Sequence, residues 1–239
     1  MRDEKGVFMA FEKDKQLDTK KIVDAIENAV YAEVKPLGFK KHGRTLHRFV
    51  GEDISQVINF QTGCPPKGVY DVLWVNIGIR VPECMLRSFA CEESAKKYYH
   101  EYECNIRARL GEVEGGEEKA YDLHLSEEEI LSDILRQIKD YVIPCFSALE
   151  SREAILEKRR YYPNMDVMNH RLILLENAMI YGRMGKAEEA QRVFNEYYNS
   201  KAGEYKGHEG QKSHQYIKSH MEYLEELAKS LGIEIRNKT

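Results

Sequence analysis

The feature that most constrains this chain is a change of hydrophobic period. Ile22, Ile26, Ala29, Val30, Val34 and Leu37 recur at helical spacing and draw one apolar stripe. Beyond Gly43 the step becomes two. In 53–62, Ile54, Gln56, Ile58 and Phe60 alternate with Ser55, Val57, Asn59 and Gln61. In 69–81, Leu73, Val75, Ile77, Ile79 and Val81 alternate with Trp74, Asn76, Gly78 and Arg80. A period of two sends successive side chains to opposite faces of a sheet. A chain with both periods must lay a helix stripe on one sheet face, which is an α+β arrangement.

Turn chemistry divides these runs. Asp18 or Thr19 can cap the first helix, and Pro36 and Gly38 close it. Residues 44–50 read as a strand joined by the short turn 50–53 to the next, an antiparallel hairpin. Residues 63–68 are a loop, and Pro82 ends the third strand. A mixed connection follows, with a short helix expected at 92–99. In 102–110, Cys104, Ile106, Ala108 and Leu110 alternate with Asn105, Arg107 and Arg109, which predicts a fourth strand with Cys104 facing the core. Ser126 with Glu129 forms a capping box for a helix carrying Ile130, Ile134 and Ile138, and Pro144 opens another to about 161. Helices at 166–184, 187–199 and 211–231 complete the chain, with a polar loop at 203–210. The expected architecture is a mainly antiparallel four-stranded sheet packed with helices, followed by an all-helical C-terminal extension. Its expected units are 17–143 and 144–239.

A chain of 239 residues can bury a sizeable core. Its net charge of −4 exerts no long-range pull on nucleic acid or anionic membranes. Residues 1–16 are polar, without the apolar run of a secretory signal, and no window reaches the ~20 apolar residues of a membrane span. The five cysteines (Cys64, Cys84, Cys91, Cys104 and Cys145) are an odd set at irregular spacings. Reduced thiols in the cytoplasm are the expectation.

Several short motifs fall in order between Val34 and Gly111. They are Leu37-Gly38-Phe39-Lys40, Gly43-Arg44-Thr45 with Arg48, Asn59-Phe60-Gln61, Asn76-Ile77-Gly78, and the run from Cys104 through Arg107 and Arg109 to Gly111. This ordered set resembles an uncharacterised bacterial family, domain of unknown function 4304. The resemblance implies a related fold and no known activity. Ala178, Tyr181, Gly185, Ala190 and Phe194 fall at the spacings of a single tetratricopeptide-like helical hairpin, near 174–198.

The polar side of the alternating strands is the candidate binding surface. It is expected to present Asn59, Gln61, Trp74, Asn76, Arg80, Arg107 and Arg109, together with Asn105, and to be joined by Arg44 and Arg48 from the first strand. Arginine forks and amides suit carboxylate or phosphate. Cys84, Cys91, His100 and Cys104 lack the close spacing of a structural zinc site, so no metal and no cofactor are expected. There is neither a Gly-x-Ser-x-Gly elbow nor a phosphate loop, and no catalytic residue is assigned. Only Lys40, Lys41, Arg44 and Arg48 form a basic patch, so nucleic acid is not the expected partner. The leading expectation is a non-catalytic binding or protein-interaction module, with an immunity-like role as one setting and a protein or anionic ligand as partner. The alternative is an enzyme or binding protein acting on an anionic small molecule or nucleic acid at the same face. The sequence leaves the oligomeric state open.

Overall fold

The computed structural model describes residues 18–63, 71–85, 96–166, 172–207 and 214–236. The expected leader, the loop holding Cys64, Cys91 and the start of the short helix at 92 lie outside the described residues.

Helix α1 (Thr19–Val34) begins where the Asp18 side chain accepts the Lys21 N–H at 3.1 Å. Its stripe of Val23, Ile26, Val30 and Val34 is fully buried. A tight turn at Lys35–Leu37 and Gly38 (φ 89°) carries the chain into the sheet. Strands β1 (Lys40–His42), β2 (Thr45–Val50), β3 (Ile54–Gly63), β4 (Val72–Arg80), β5 (Ile106–Arg109) and β6 (Ala120–Asp122) pair antiparallel in the order β1-β2-β3-β4-β5. β6 pairs with β4 beyond the end of β5.

The described sheet therefore has six strands where four were expected. β1 and β6 hold three residues each, too few to display an alternation. β5 takes up only the end of the run at 102–110, because a 3-10 turn at Glu101–Glu103 comes first. That turn also takes Cys104 off the core side, where its sequence parity had placed it.

One sheet face packs on α1 and on a long helical run. Helix α2 (Glu127–Gln137) starts at Ser126, whose hydroxyl accepts the Glu129 N–H. It passes without a break through a wide π turn (Ile138–Val142) into α3 (Ile143–Ala148). The Ile143 N–H reaches back to the Ile138 carbonyl. Pro144 thus continues a helix that it was expected to open, at a point where the wider turn leaves room for a residue with no N–H. Ser151 then caps α4 (Arg152–Lys158) through the Ala154 N–H at 3.2 Å. The core between these layers unites Ile54, Ile58, Leu73, Ile77, Ile106, Ile130, Ile134 and Phe146. It also takes in Cys145, Leu149, Ile155, Met165 and Ile180.

Helices α5 (Ile173–Arg183), α6 (Ala187–Gly207) and α7 (His214–Ser230) enclose a second cluster, including Leu175, Ala178, Met179, Ala190, Phe194, Leu224 and Leu227. Gly185, at φ 72°, turns α5 into α6. α6 runs through the loop expected from 203 and reaches Gly207, supported by the Lys201–Glu204 ion pair one turn apart. Two arginine clusters tie this layer and α4 to the sheet. Arg152 grips Glu83 through two bonds (2.7 and 2.8 Å) and Asp53 at 2.8 Å. Arg159 pairs with Glu176, and both are buried.

Ala178 is 0% exposed and Ala190 2%, so the α5–α6 crossing is closed by small side chains. Ala178→Leu is expected to overpack it at a cost of about 1–3 kcal/mol. Thermal melting checks this: an unchanged midpoint would show that the crossing has slack.

Candidate functional site

The register of the sheet sorts the candidate residues. Ser55 pairs with Arg80, Val57 with Gly78, Asn59 with Asn76 and Gln61 with Trp74. Gly78 and Asn76 in turn pair with Arg107 and Arg109. Paired residues share a face, so Asn59, Gln61, Trp74, Asn76, Arg80, Arg107 and Arg109 stand together on the face opposite α1. Thr45, His47 and Phe49 of β2 join them, since they pair with Asn59, Val57 and Ser55.

Arg48 does not join them. It pairs with Gln56, on the helix-covered face. Its guanidinium lies 5.0 Å above the Phe39 ring, donates to Gln56 Oε1 (2.8 Å) and donates to the Leu37 carbonyl (2.9 Å). Gln56, fully buried, donates onward to the Phe146 carbonyl at 2.7 Å. Arg48 therefore seats α3 and the first turn on the sheet. Asn105 is also spoken for: its amide oxygen accepts the Val81 N–H at 2.8 Å and its nitrogen donates to Glu176.

A segment of the chain divides the outer face. Residues 96–104 cross one half of it as a strap. The Tyr98 ring centroid is 3.7 Å from that of His42, 5.8 Å from His47 and 5.3 Å from His100. The Tyr99 ring stacks on the Arg80 guanidinium at 3.9 Å. Glu101 pairs with Arg107. Gly78 makes the close approach feasible: a Cβ there would stand 2.7 Å from the Cys104 sulfur. Burial pushes the Cys104 and Cys84 thiols well above their ordinary range, so neither is a ready nucleophile. Arg80 and His47, only 4% and 5% exposed, lie beneath the strap.

The other half holds an amide network. Asn76 donates to Gln61 (2.9 Å) and Asn59 (3.4 Å), and Asn59 donates to the Thr45 hydroxyl at 3.0 Å. Gln61 and Thr62 are exposed and Asn59 is half-buried. Arg109 flanks the network, whereas Arg44, expected on the same face, lies on the α1 side of the sheet, because Thr62 pairs with the core residue Leu73. Arg44 donates to Thr62 at 2.9 Å. Arg109 lies 5.1 Å above the Trp74 ring and pairs with the exposed Glu118. The Trp74 ring edge fills the space beside Gly63, where a Cβ would come within 2.6 Å. Its Nε1–H is buried and donates to no acceptor among the described residues. These groups can hold a planar anion by hydrogen bonds and charge. They include no nucleophile with an adjacent base. Among the described residues there is also no group of three or more His, Cys, Asp or Glu placed to hold a metal ion.

Sequence reasoning assembled the amide network but missed the strap. Tyr98, Tyr99 and His47 carry no period that marks a cover. The one legible signal was Gly78, a glycine inside an otherwise apolar central strand, which often marks a close approach.

The family described as Domain of unknown function (DUF4304) matches residues 30–148, spanning β1 to β6 and the helical run to α3. The resemblance drawn from the ordered motifs thus holds. No curated protein and no solved structure matches the chain.

Burial first, and then the neighbouring charges of Lys40 and His42, lowers the His47 pKa below the ordinary histidine value. The fold therefore favours the neutral ring. The stability this contributes is present above the unfolded value of about 6.5 and is lost as pH falls through the lower folded value. His47→Leu is expected to shrink the drop in melting temperature between about pH 7.5 and about pH 5. A drop as large as that of the parent would show that acid acts elsewhere.

Proposed function

We propose that this chain, whose residues 30–148 resemble a domain of unknown function, is a non-catalytic binding module. Its contact surface is the uncovered half of the outer sheet face, and its partner is an acidic segment of another protein. The observation that carries this reading is the pairing of a cross-strand amide network, open to solvent at Gln61, with an arginine held over Trp74. Amides and guanidinium groups bind carboxylates without doing chemistry on them. The antiparallel sheet holds them in register, so little ordering entropy is lost on binding.

A second reading, an anionic small molecule at the same face, draws support from the buried Trp74 N–H, which has no acceptor among the described residues. An oxygen of a compact ligand would satisfy it. We read the α5–α6 hairpin as one tetratricopeptide-like unit, on the strength of its buried Ala178, Ala190 and Phe194. We read the setting as the bacterial cytoplasm, consistent with the Cys84 and Cys104 thiols.

Trp74 is the only tryptophan of the chain, so its emission reports the site directly. Titration with hexaglutamate is expected to shift that emission, and inorganic pyrophosphate serves as the compact-anion comparison. Arg109→Ala should weaken the response at least about tenfold. It should change stability by no more than about 1 kcal/mol, because both Arg109 and its partner Glu118 reach solvent. An emission indifferent to both probes would overturn the proposal. A response to pyrophosphate alone would select the second reading.

A further inference from the structure

Helix α6 carries a second recognition surface, far in sequence from the sheet. Gln191, Asn195 and Asn199 stand one above another at four-residue steps. Four residues of α-helix rise about 6.0 Å. Two residues of extended chain span about 6.6–6.8 Å. The two repeats nearly coincide, so a column of amides on a helix can read alternate peptide units of an extended segment.

Residues 233–236 of the same chain are read in this way. The Glu234 N–H donates to Gln191 Oε1 at 2.8 Å, and the Glu234 carbonyl accepts from Gln191 Nε2 and, at 3.0 Å, from Asn195 Nδ2. Two residues on, the Arg236 N–H donates to Asn195 Oδ1 at 2.7 Å and the Arg236 carbonyl accepts from Asn199 Nδ2 at 3.1 Å. Asn195 and Asn199 also donate to the carbonyls one turn back (2.8 and 2.7 Å), which orients them before the segment arrives. Ile233 is buried and Ile235 half-buried against the helical cluster, while Glu234 and Arg236 face solvent and pair with each other. The rail therefore recognises main chain plus an aliphatic residue at every second position. It does not touch the charged side chains of its occupant. Beside it a groove of ≈ 850 Å³ continues along Ala187, Glu188, Arg192 and Glu196.

We propose that the Gln191–Asn195–Asn199 rail is a docking site for an extended segment of a partner protein with aliphatic residues at alternate positions. The chain's own residues 233–236 fill it in cis. The occupant's chemistry is read from the resident, Ile-Glu-Ile-Arg, and the groove, which carries charges of both signs, leaves room for a longer segment. The resident is tethered at Gly232 (φ 65°) just past the end of α7. A partner must compete with that tether, whose effective concentration is of millimolar order.

The test uses the full chain and a fluorescent peptide of the sequence of residues 231–239. Ile235→Ser weakens the resident and leaves the rail intact. Anisotropy should show this variant binding the peptide at least tenfold more tightly than the parent. Adding Asn195→Ala should abolish that gain, and so should replacing both isoleucines of the peptide by serine. Equal binding by parent and variant, or a gain that survives Asn195→Ala, would overturn the proposal. A dimer of the parent that Ile235→Ser dissolves would assign the rail to a second copy and overturn the partner. Hydrogen exchange on the parent covers the case in which the variant unfolds. The amides of Glu234 and Arg236 should exchange at least a hundredfold faster than that of Leu224 in the core. Exchange of all three at one slow rate would show a fixed structural contact.

Discussion

Glu176 and Arg159 form an ion pair with almost no access to water, and the relation of the helical layer to the sheet depends on it. Removing two charges from solvent costs several kcal/mol each. Their attraction offsets this only when the remaining lone pairs and protons are also bonded. Here the Glu176 carboxylate also accepts from Asn105, whose own oxygen takes the N–H of Val81 at the end of β4. The Glu176 carbonyl receives the Cys84 thiol at 3.7 Å. A strand end, a turn and a helix are thereby locked to one residue, Glu176. Helix α5 can then serve two cores, sending Ala178 and Met179 into the helical cluster and Ile180 into that of the sheet.

The same sheet uses its faces unequally. The inner face is mostly apolar; Gln56 and Arg48 carry a hydrogen-bond relay across it to the Phe146 carbonyl, and Lys41 reaches Glu27 of α1. The outer face has a covered half, built from rings and a glycine, and a half left to amides, Trp74 and Arg109. Since antiparallel sheets often have one solvated face, a polar outer side alone would say little about function. What distinguishes this one is that its polar groups are tied to one another across strands, and that Arg109 is held over an aromatic ring. Both arrangements fix side chains that a merely solvated surface leaves mobile.

Much of this was legible in the sequence. The alternation in 53–62 and 69–81 placed Asn59, Gln61, Trp74 and Asn76 on one face, because each run is long enough to set its own parity. β2 was harder: Leu46 and Val50 have one parity and Phe49 the other, so composition does not decide which side Arg48 takes. The pairing of Val50 with Ile54 across the turn decides it. Cys104 followed the parity of Ile106 and Ala108 on paper, but a 3-10 turn intervenes, and parity holds only within a continuous strand. The strap, β6 and the rail on α6 rest on contacts between residues distant in sequence, which no local period encodes. Gln191, Asn195 and Asn199 read as ordinary polar helix positions until the chain end is laid beside them.

The π turn in the helical run from α2 to α3 has a consequence for how this fold tolerates length changes. Such a turn holds one residue more than an ordinary helical turn. It works as a phase adjuster: helix before and after it keeps regular geometry, but the two halves are offset by about 100°. Upstream, Ile130 and Ile134 meet the sheet core. Downstream, the offset brings Phe146 onto that face beside Cys145 and Leu149. Loss of a single residue within Ile138–Val142 would restore a regular helix and leave Phe146 against Phe39 and the Gln56 amide, because the lost residue and the lost offset cancel. A loss in α2 would instead turn every residue before it by about 100° against the sheet. Most helices absorb a missing residue at a frayed end. In this one the surplus sits at mid-length, so the run can give up a residue at its middle and keep both faces on the sheet.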